Sequence, residues 1–437
     1  MRLRRNVTGL VVLALLSGLL VACSSSTTSS GGAASSTGGT GATPAGARYT
    51  KPSGSVRGYD GSTLKLASLG IKSQLPGVEF GSRARVKRFN DTNEVPGIKL
   101  DYTEFANDNL DRATALSEAR RLVAEQQIFA IVGDTSSFNP LAYFQQQHVP
   151  YFGWAFDSTY CTDKPDPTLW GFGIDGCLVP DSPKVVGDMA SNLYKYLSGR
   201  IGKAHPTVAL FSSDSQSGQN AAKFDKPPYD GVGFNVVYAK GIIPAGTPVS
   251  DYTPYVQQLL RSNNGSAPDV IVCLLTTDCI PIYGLLTSSK YGGVFVSSLY
   301  ADQLLTALDG SVVTTAFAPF GDATPANAQL SADVKAVKPG QAPDLGVAVG
   351  YFSTDMFIQA LKTLVQAKGK SFISPENLQQ AAAYMTWEIK DQIGPAKYPE
   401  STVLPSPFCS AVVVDEGAQW KTVEPYSCST KTFPISG

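Results

Sequence analysis

The chain has 437 residues, of which 43% are apolar and 10% aromatic, so it is long enough to bury more than one core. Its 35 basic and 36 acidic side chains nearly balance, so the composition gives no sign of the basic surface typical of nucleic-acid binding. Beyond the N-terminal region, no apolar stretch is long enough to span a bilayer.

The first 22 residues are typical of a secretory signal peptide, with three early arginines, an apolar stretch over 7–20 and small residues at its end. Leu20-Val21-Ala22-Cys23 resembles the lipobox of a bacterial lipoprotein, in which Cys23 becomes the N-terminus and carries lipid. The alternative is a plain signal peptide. Several acyl chains hold a protein firmly on a bilayer, so the resemblance implies a lipid anchor on the extracytoplasmic face of the cell membrane.

After a flexible Ser/Thr/Gly linker that extends from Cys23 to residue 55, strands alternate with helices. Strands are predicted over 63–67, 98–105, 129–132 and 151–152. Helices are predicted near 82–93, 110–123 and 138–144, with Asp108 and Asn109 as the expected cap of the second. This order predicts a parallel, doubly wound sheet.

The same order recurs in the second half. Strands are predicted over 208–211, 234–238, 269–275 and 294–297, and helices over 183–197, 252–260, 351–364 and 375–387. Ser374 and Pro375 are expected to be the cap and first residue of the last helix. The fold class is therefore α/β, with two doubly wound Rossmann-like lobes.

Besides Cys23, six cysteines fall into three close sequence pairs, and an even number in an exported chain indicates disulfides. Many pairings are open, and the local set is favoured: Cys161–Cys177, Cys273–Cys279 and Cys409–Cys428. No C-x-x-C occurs and the two histidines lie far from the cysteines, so no metal is expected.

An enzyme is the first alternative function, and the sequence disfavours it. A G-x-G-x-x-G stretch at 171–176 lies between two cysteines and is followed by no helix, so it fails as a dinucleotide site. There is no G-x-S-x-G, and His148 and His205 both fit structural roles. Neither a catalytic residue nor a cofactor is expected.

Four segments together resemble the periplasmic ligand-binding proteins of the leucine/isoleucine/valine type. They are Val132-Gly133-Asp134-Thr135-Ser136-Ser137, Val149-Pro150-Tyr151-Phe152-Gly153, Asp251-Tyr252-Thr253-Pro254, and Gly350-Tyr351 with Ala360-Leu361. The resemblance covers nearly all of residues 60–425. It implies the type I periplasmic binding protein fold, in which two lobes are joined by a three-crossover hinge.

The resemblance also implies approximate boundaries. The N-terminal lobe is expected over 56–155 plus 322–350, and the C-terminal lobe and tail over 156–321 plus 351–437. The crossovers are expected near 155–182, 298–320 and 322–350.

The ligand is expected at the carboxyl ends of the strands, where open α/β sheets bind ligands. Ser136 and Ser137 would offer hydroxyls and backbone N–H groups to an anion at a helix N-terminus, or would only cap the helix that starts near Phe138. The other expected ligand-binding residues are Trp154, Ala155, Asp157, Thr276, Asp278, Tyr300 and Tyr351. Asp157 fits either an ammonium partner or an ordinary loop aspartate.

One departure from the family leaves the ligand open. Where the second lobe of amino-acid binders offers an acid to the ligand ammonium, this chain has Ser298-Leu299-Tyr300, and Leu299 cannot replace that acid. A carboxylate, amide, aromatic or sugar-like ligand therefore stands beside an amino acid.

The expected function is that of a lipid-anchored solute-binding protein, which captures a small molecule between two closing lobes and delivers it to an ABC permease. The protein is expected to be a monomer with no nucleic-acid partner, bound to the bilayer through Cys23. The alternative is a ligand-sensing or envelope scaffold lipoprotein with the same fold and no transport role.

Overall fold

The computed structural model describes residues 44–435 except 138, 139, 156, 246 and 406. Cys23, the signal peptide and most of the linker lie outside the described residues. Within the described part, none of the helices combines the length and the apolar character that crossing a bilayer demands. This part contains two α/β lobes, each built around one sheet.

The first lobe contains a parallel sheet of five strands in the order β2-β1-β3-β4-β5. The strands are β1 Thr63–Gly70, β2 Lys99–Asn107, β3 Ala130–Asp134, β4 Tyr151–Gly153 and β5 Gly171–Gly173. The helices between them are α1 Gly77–Thr92, α2 Arg112–Ala124 and α3 Leu141–Gln146. All residues of β3 and β4 are buried, as expected for strands covered on both faces.

The second lobe contains seven strands in the order β15-β14-β11-β10-β9-β7-β8. Its elements in chain order are β6 Val185–Gly187, α4 Ser191–Ile201, β7 Thr207–Ser213, α5 Gln216–Val232, β8 Asn235–Ile243, α6 Thr253–Leu259, β9 Val270–Cys273, α7 Cys279–Ser288, β10 Val294–Ser297 and β11 Val312–Thr315. The later strands β14 Phe408–Asp415 and β15 Trp420–Ser429 add to the sheet in antiparallel fashion. Outside the sheet, β16 Thr432–Pro434 pairs with β6.

The remaining helices, α8 Pro325–Val337, α9 Leu345–Lys368 and α10 Pro375–Ala382, belong to the first lobe. Helix α9 is buried along most of its length and packs on α1 and β3, while β5 pairs with β4. The first lobe therefore extends beyond residue 155 and includes the segment after 350, unlike the boundaries expected from the sequence. Apolar periodicity identifies a buried helix but does not say which sheet it covers.

The chain passes between the lobes three times, after β5, after β11 and before β14. The first two passages overlap the expected crossovers. The third does not, because 322–350 holds α8 and the start of α9, and the passage instead follows the hairpin of β12 Thr386–Ile389 and β13 Ile393–Lys397.

Two predicted helix starts can be compared directly. The Ser374 hydroxyl accepts the backbone N–H of Asn377 at 3.2 Å and Pro375 is the first helical residue, as predicted. Helix α2 instead begins at Arg112, and its cap is Asp111, whose carboxylate accepts the N–H of Thr114 at 2.7 Å. Asp108 is thereby left for another role.

The structure contains the three disulfides that the sequence favours, Cys161–Cys177, Cys273–Cys279 and Cys409–Cys428. The second closes the turn between β9 and α7, and the third joins residues that lie opposite each other in β14 and β15. Each pair therefore fastens a local feature rather than linking the two lobes.

Candidate functional site

The carboxyl ends of the central strands of both lobes face one cleft. The clearest sign is a hydrogen bond from the Thr276 hydroxyl, just after β9, to the side-chain oxygen of Gln74, in the loop after β1. Gln74 belongs to the first lobe and Thr276 to the second. The lobes therefore touch across the cleft where parallel sheets usually hold ligands.

Ser136 follows β3, as expected, but both of its hydrogen-bond donors are already used. Its hydroxyl donates to the carboxylate of Asp108 at 2.9 Å, and its backbone N–H points at the carboxylate of Asp134 at 3.4 Å. Ser136, Asp108 and Asp134 are buried. The expected anion site at Ser136 is therefore not formed, because internal acids occupy its donors.

The helix expected to start near Phe138 also differs from the prediction. Helix α3 begins at Leu141 and has six residues, with Pro140 at its cap position and no side-chain cap. Ser136 and Ser137 therefore do not cap it. Ser137 is half-buried beside Ser136 and remains at the cleft.

The two acids beneath Ser136 lie in a low-dielectric setting. Burial raises the pKa of Asp108, and it raises the pKa of Asp134 well above the usual range even though Tyr160 donates a hydrogen bond to Asp134 at 2.8 Å. Within the described residues, no basic side chain forms an ion pair with either acid. Nor do three His, Cys, Asp or Glu side chains of this part gather as a metal site would require.

Trp154, Ala155 and Asp157 follow β4 at the same edge of the sheet. Ala155 is buried in a left-handed conformation with φ of 62°. The Asp157 carboxylate accepts the N–H of Thr159 at 2.8 Å and so caps a short helical turn. This local role corresponds to the ordinary-loop alternative left open by the sequence, and Asp157 is only 6% exposed.

In the second lobe, Thr276 and Asp278 lie in the turn that the Cys273–Cys279 disulfide closes. The hydroxyl of Tyr252, at the start of α6, donates to the Asp278 carboxylate. Thr276 and Asp278 are both half-buried. Thr276 thus lies where the second lobe meets Gln74 of the first, and Asp278 lies two residues further along the same turn.

Tyr300 lies behind the cleft in an aromatic hinge cluster of Trp154, Tyr300, Phe317, Phe320 and Trp420. Its ring stacks on Phe320 with centroids 5.5 Å apart and meets Trp420 at 5.3 Å, while Trp154 meets Phe317 edge-on at 6.4 Å. Burial raises the pKa of Tyr300 to about 12. The cluster joins the end of β4, the crossover after β11 and the second lobe, so Tyr300 packs the hinge.

Tyr351 is not brought together with the other predicted residues. It lies on α9 with 3% exposure, where its hydroxyl donates to Asp333 at 2.6 Å and accepts from Arg88 at 3.1 Å. These partners belong to α8 and α1. The tyrosine therefore ties three helices of the first lobe together.

The three crossovers enclose a small cavity of about 10 Å³, the size needed for one water molecule. Its wall includes Asp175 after β5, Ala316 after β11, and Pro405 and Phe408 near β14. The Oδ2 atom of Asp175 is enclosed and has no hydrogen-bond partner in the described part of the chain. Burial raises the pKa of this carboxyl to about 7.

Three residues of the site carry little signal in the sequence. Gln74 lies in an unremarkable loop, Asp108 reads as a helix cap, and Asp134 stands in a buried strand. The alternation that predicts a strand says nothing about partners contributed by neighbouring strands. Only the sequence Gly133-Asp134, at a strand end, could have pointed to a functional acid.

The family model described as "Periplasmic binding protein" matches residues 70–402. No curated protein matches the sequence significantly. The solved structures that resemble this fold include the fatty acid ABC transporter substrate-binding protein from Thermomonospora curvata. It shares 16% identity at a TM-score of 0.67, and the match covers 88% of this chain and 96% of that one.

The descriptions of two further similar structures name a bound ligand. One is a branched chain amino acid ABC transporter from Thermus thermophilus with bound valine, with 13% identity, a TM-score of 0.63 and coverage of 84% and 97%. The other is a solute binding protein of an ABC transporter from R. palustris in complex with 4-hydroxybenzoate, with 16% identity, a TM-score of 0.62 and coverage of 84% and 98%. At these identities the likeness shows the fold, which confirms the expected type I architecture.

Proposed function

Because this chain belongs to the periplasmic binding protein family, we propose that it is a lipid-anchored solute-binding protein that captures a small molecule and delivers it to an ABC importer. The family consists of solute-binding proteins rather than enzymes, and membership implies a location outside the cytoplasm. The proposed ligand is an amino acid or a related carboxylate or amide.

The observation that supports this function best is the contact across the cleft. Thr276 of the second lobe meets Gln74 of the first, and half-buried polar groups flank them at the strand ends. A ligand held there would be touched by both lobes at once. Two-sided contact is what makes a ligand favour the closed form.

The mechanism we propose is hinge closure about the three crossovers. Turning a 1:99 open-biased population into 99:1 requires a ligand to prefer the closed form by about 5.5 kcal/mol. A few charge-assisted hydrogen bonds between the ligand and the strand ends are of that order. The aromatic hinge cluster would serve as the packed surface about which the lobes turn.

The ligands named for the similar structures are a fatty acid, valine and 4-hydroxybenzoate. They share a carboxylate on an apolar body but differ in size and in the presence of an ammonium. We therefore propose a ligand within the size range of these three molecules, and we do not choose among their apolar parts.

The anchor is proposed from the lipobox alone. Cys23 would carry the lipid, and the Ser/Thr/Gly linker would let the folded lobes reach a permease in the same membrane.

The test is thermal unfolding of the full mature chain in mild detergent against amino acids, organic acids, aromatic acids, amides and sugars. Saturation at 100 times the dissociation constant adds about 2.7 kcal/mol, which for a chain of this length raises Tm by about 3 °C. A selective shift would support capture of a solute. If no compound of the panel changes Tm, the result would favour the sensor or scaffold alternative.

A variant with Ser137→Ala should bind the same ligand more weakly with little change in Tm, because Ser137 is half-buried at the cleft, whereas Ser136 is buried and donates to Asp108. The matched control is Ser191→Ala at the start of α4 in the second lobe, a half-buried serine whose hydroxyl donates to Asp188 at 2.6 Å. Equal affinity in both variants would remove the serine turn from the site.

A further inference from the structure

Three polar side chains lie side by side at one end of the sheet in the second lobe. Ser311 precedes β11, Asp415 ends β14 and Trp420 begins β15. The register that pairs Val312 with Val414 continues to Ser311 and Asp415, where the Asp415 N–H donates to the Ser311 carbonyl at 3.1 Å, and Trp420 lies opposite Asp415. Residues opposite each other in antiparallel strands point to the same face. The three side chains therefore share one face of the sheet.

These side chains are enclosed, and their polar atoms have no partners within the chain. Asp415 and Ser311 are both fully buried, with 0% exposure. In the described part of the chain, no hydrogen bond reaches either carboxylate oxygen of Asp415, the Ser311 hydroxyl or the Trp420 indole N–H. A buried carboxylate without hydrogen bonds is costly, and native proteins satisfy such a group with an ion or an ordered water molecule.

A second acid adds negative charge beside Asp415. Asp309 is exposed in the loop before β11, two residues ahead of Ser311. Burial raises the pKa of Asp415 to about 6, and the charge of nearby Asp309 adds to this effect. Among the described residues, no basic side chain forms an ion pair with either acid, and the adjacent Lys421 pairs with Glu416 at 2.8 Å. The position therefore lacks a positive charge.

We propose that Asp309, Ser311 and Asp415 form a binding site for Ca²⁺ on the second lobe. Ca²⁺ takes oxygen ligands in a flexible geometry and accepts carboxylates, carbonyls and water together. The described residues contain no cluster of three acidic, histidine or cysteine side chains, so the chemistry of this set suits an oxygen-binding cation completed by water better than zinc. The inference is independent of the proposed function, because the site contains no residue of the cleft.

The position allows an ion to enter from solvent. Asp309 and Gly310 on one side and Glu416 on the other are exposed, so Asp415 lies under a single layer of the chain. A cation bound there would join the loop before β11 to the turn between β14 and β15. Because a site formed from two separate strands exists only in the folded chain, binding should stabilise the protein.

The first experiment compares the effects of Ca²⁺ and Mg²⁺ on Tm. It uses the full mature chain in mild detergent, freed of metal with a chelator. A site with two acids should bind Ca²⁺ with a dissociation constant of about 0.1–1 mM, so about 10 mM Ca²⁺ should raise Tm by roughly 1.5–3 °C. Mg²⁺ gives up its water reluctantly and should act much more weakly. Equal shifts with both cations would indicate general screening of charge, and that result, like an unchanged Tm, would overturn the proposal.

The second experiment tests the ligands by titration calorimetry with Ca²⁺. Asp415→Asn keeps the shape of the side chain and removes a charged ligand, and Asp309→Asn does the same at an exposed position that the fold does not need. Each variant should bind Ca²⁺ roughly tenfold more weakly or worse. The matched control is Glu416→Gln, an exposed acid next to Asp415, whose affinity should equal that of the wild type. Wild-type affinity in both aspartate variants would overturn the assignment.

The third experiment locates the ion by luminescence. Tb³⁺ replaces Ca²⁺ in oxygen sites, and an indole ring excites it only at short range, so Trp420 should sensitise Tb³⁺ bound at Asp415. The emission should fall when Ca²⁺ is added. It should also be largely lost in Trp420→Phe, which keeps an aromatic ring at this position. Emission that persists unchanged in Trp420→Phe would place the ion elsewhere and refute the site.

Discussion

The small cavity enclosed by the three crossovers should make the stability of this protein depend on pH, because Asp175 lies in its wall. Its enclosed carboxyl has a pKa raised from the ordinary 3.8 to about 7 by burial. Between these values the folded protein keeps a proton that the unfolded chain has released. Stability therefore falls as pH rises from about 4 to about 7, and stays at the lower level above that window.

The magnitude follows from the two pKa values. Each pKa unit corresponds to about 1.4 kcal/mol, so the raised pKa of Asp175 lowers the free energy of unfolding, relative to its value at low pH, by about 4 kcal/mol at pH 8 and about 1.5 kcal/mol at pH 5. Asp175→Asn keeps the side-chain shape and removes the charge. The stability gained by the variant over the wild type should thus be about 2.5 kcal/mol larger at pH 8 than at pH 5. The cost of enclosing an amide cancels, because it is the same at both pH values.

The assay is urea unfolding at pH 5, 6.5 and 8 with the disulfides intact. Asp251→Asn is the control, because this exposed acid has a pKa lowered by hydrogen bonds from Thr253 and is ionised in both states throughout that range. Its stability difference from the wild type should not change between pH 5 and 8. Parallel pH profiles for the wild type and Asp175→Asn would refute the reasoning.

Three further outcomes are expected. Cys23→Ala should release the protein from the membrane fraction, and a variant that stays attached would contradict the lipobox assignment. Gln74→Ala removes the hydrogen bond with Thr276, so it should shift the equilibrium between closed and open lobes toward the open form by about 1 kcal/mol. Solution scattering should show this shift as a larger radius of gyration. An unchanged radius and an unchanged ligand affinity would argue against a role for this contact in closure. Replacing Cys273 and Cys279 by serine should lower the free energy of unfolding by about 2 kcal/mol in the chain-entropy model for so short a loop, and an equal urea midpoint would contradict it.

The rule that open α/β sheets bind ligands at the carboxyl ends of their strands was not sufficient to predict the ligand site. That rule directed attention to Ser137, Thr276 and Asp278, since residues that follow neighbouring parallel strands share one edge, and their part in ligand binding stays a prediction. It could not foresee that Ser136 would donate to Asp108, because the two residues follow different strands and meet only when β1 lies between β2 and β3. The presence of a serine in the sequence does not indicate which acceptor its hydroxyl donates to.

Tyr300 and Tyr351 illustrate the same limit. Each is an aromatic residue with a polar end, next to a segment that resembles a binding loop. Packing turns Tyr300 into the aromatic hinge cluster and directs Tyr351 toward Asp333 and Arg88. The positions of both side chains depend on residues far away in the chain, so the local sequence pattern does not predict them.

The sequence by itself determined the class of the protein, the alternation of strands and helices, and the cap at Ser374, because these depend on neighbours a few residues apart. It also favoured the three disulfide pairs, since short loops close at the least entropic cost. The tertiary structure decided which sheet α9 covers, where the third crossover runs and which donors at the cleft remain for a ligand. Those properties arise from contacts between distant segments, and they exist only once the two sheets have formed.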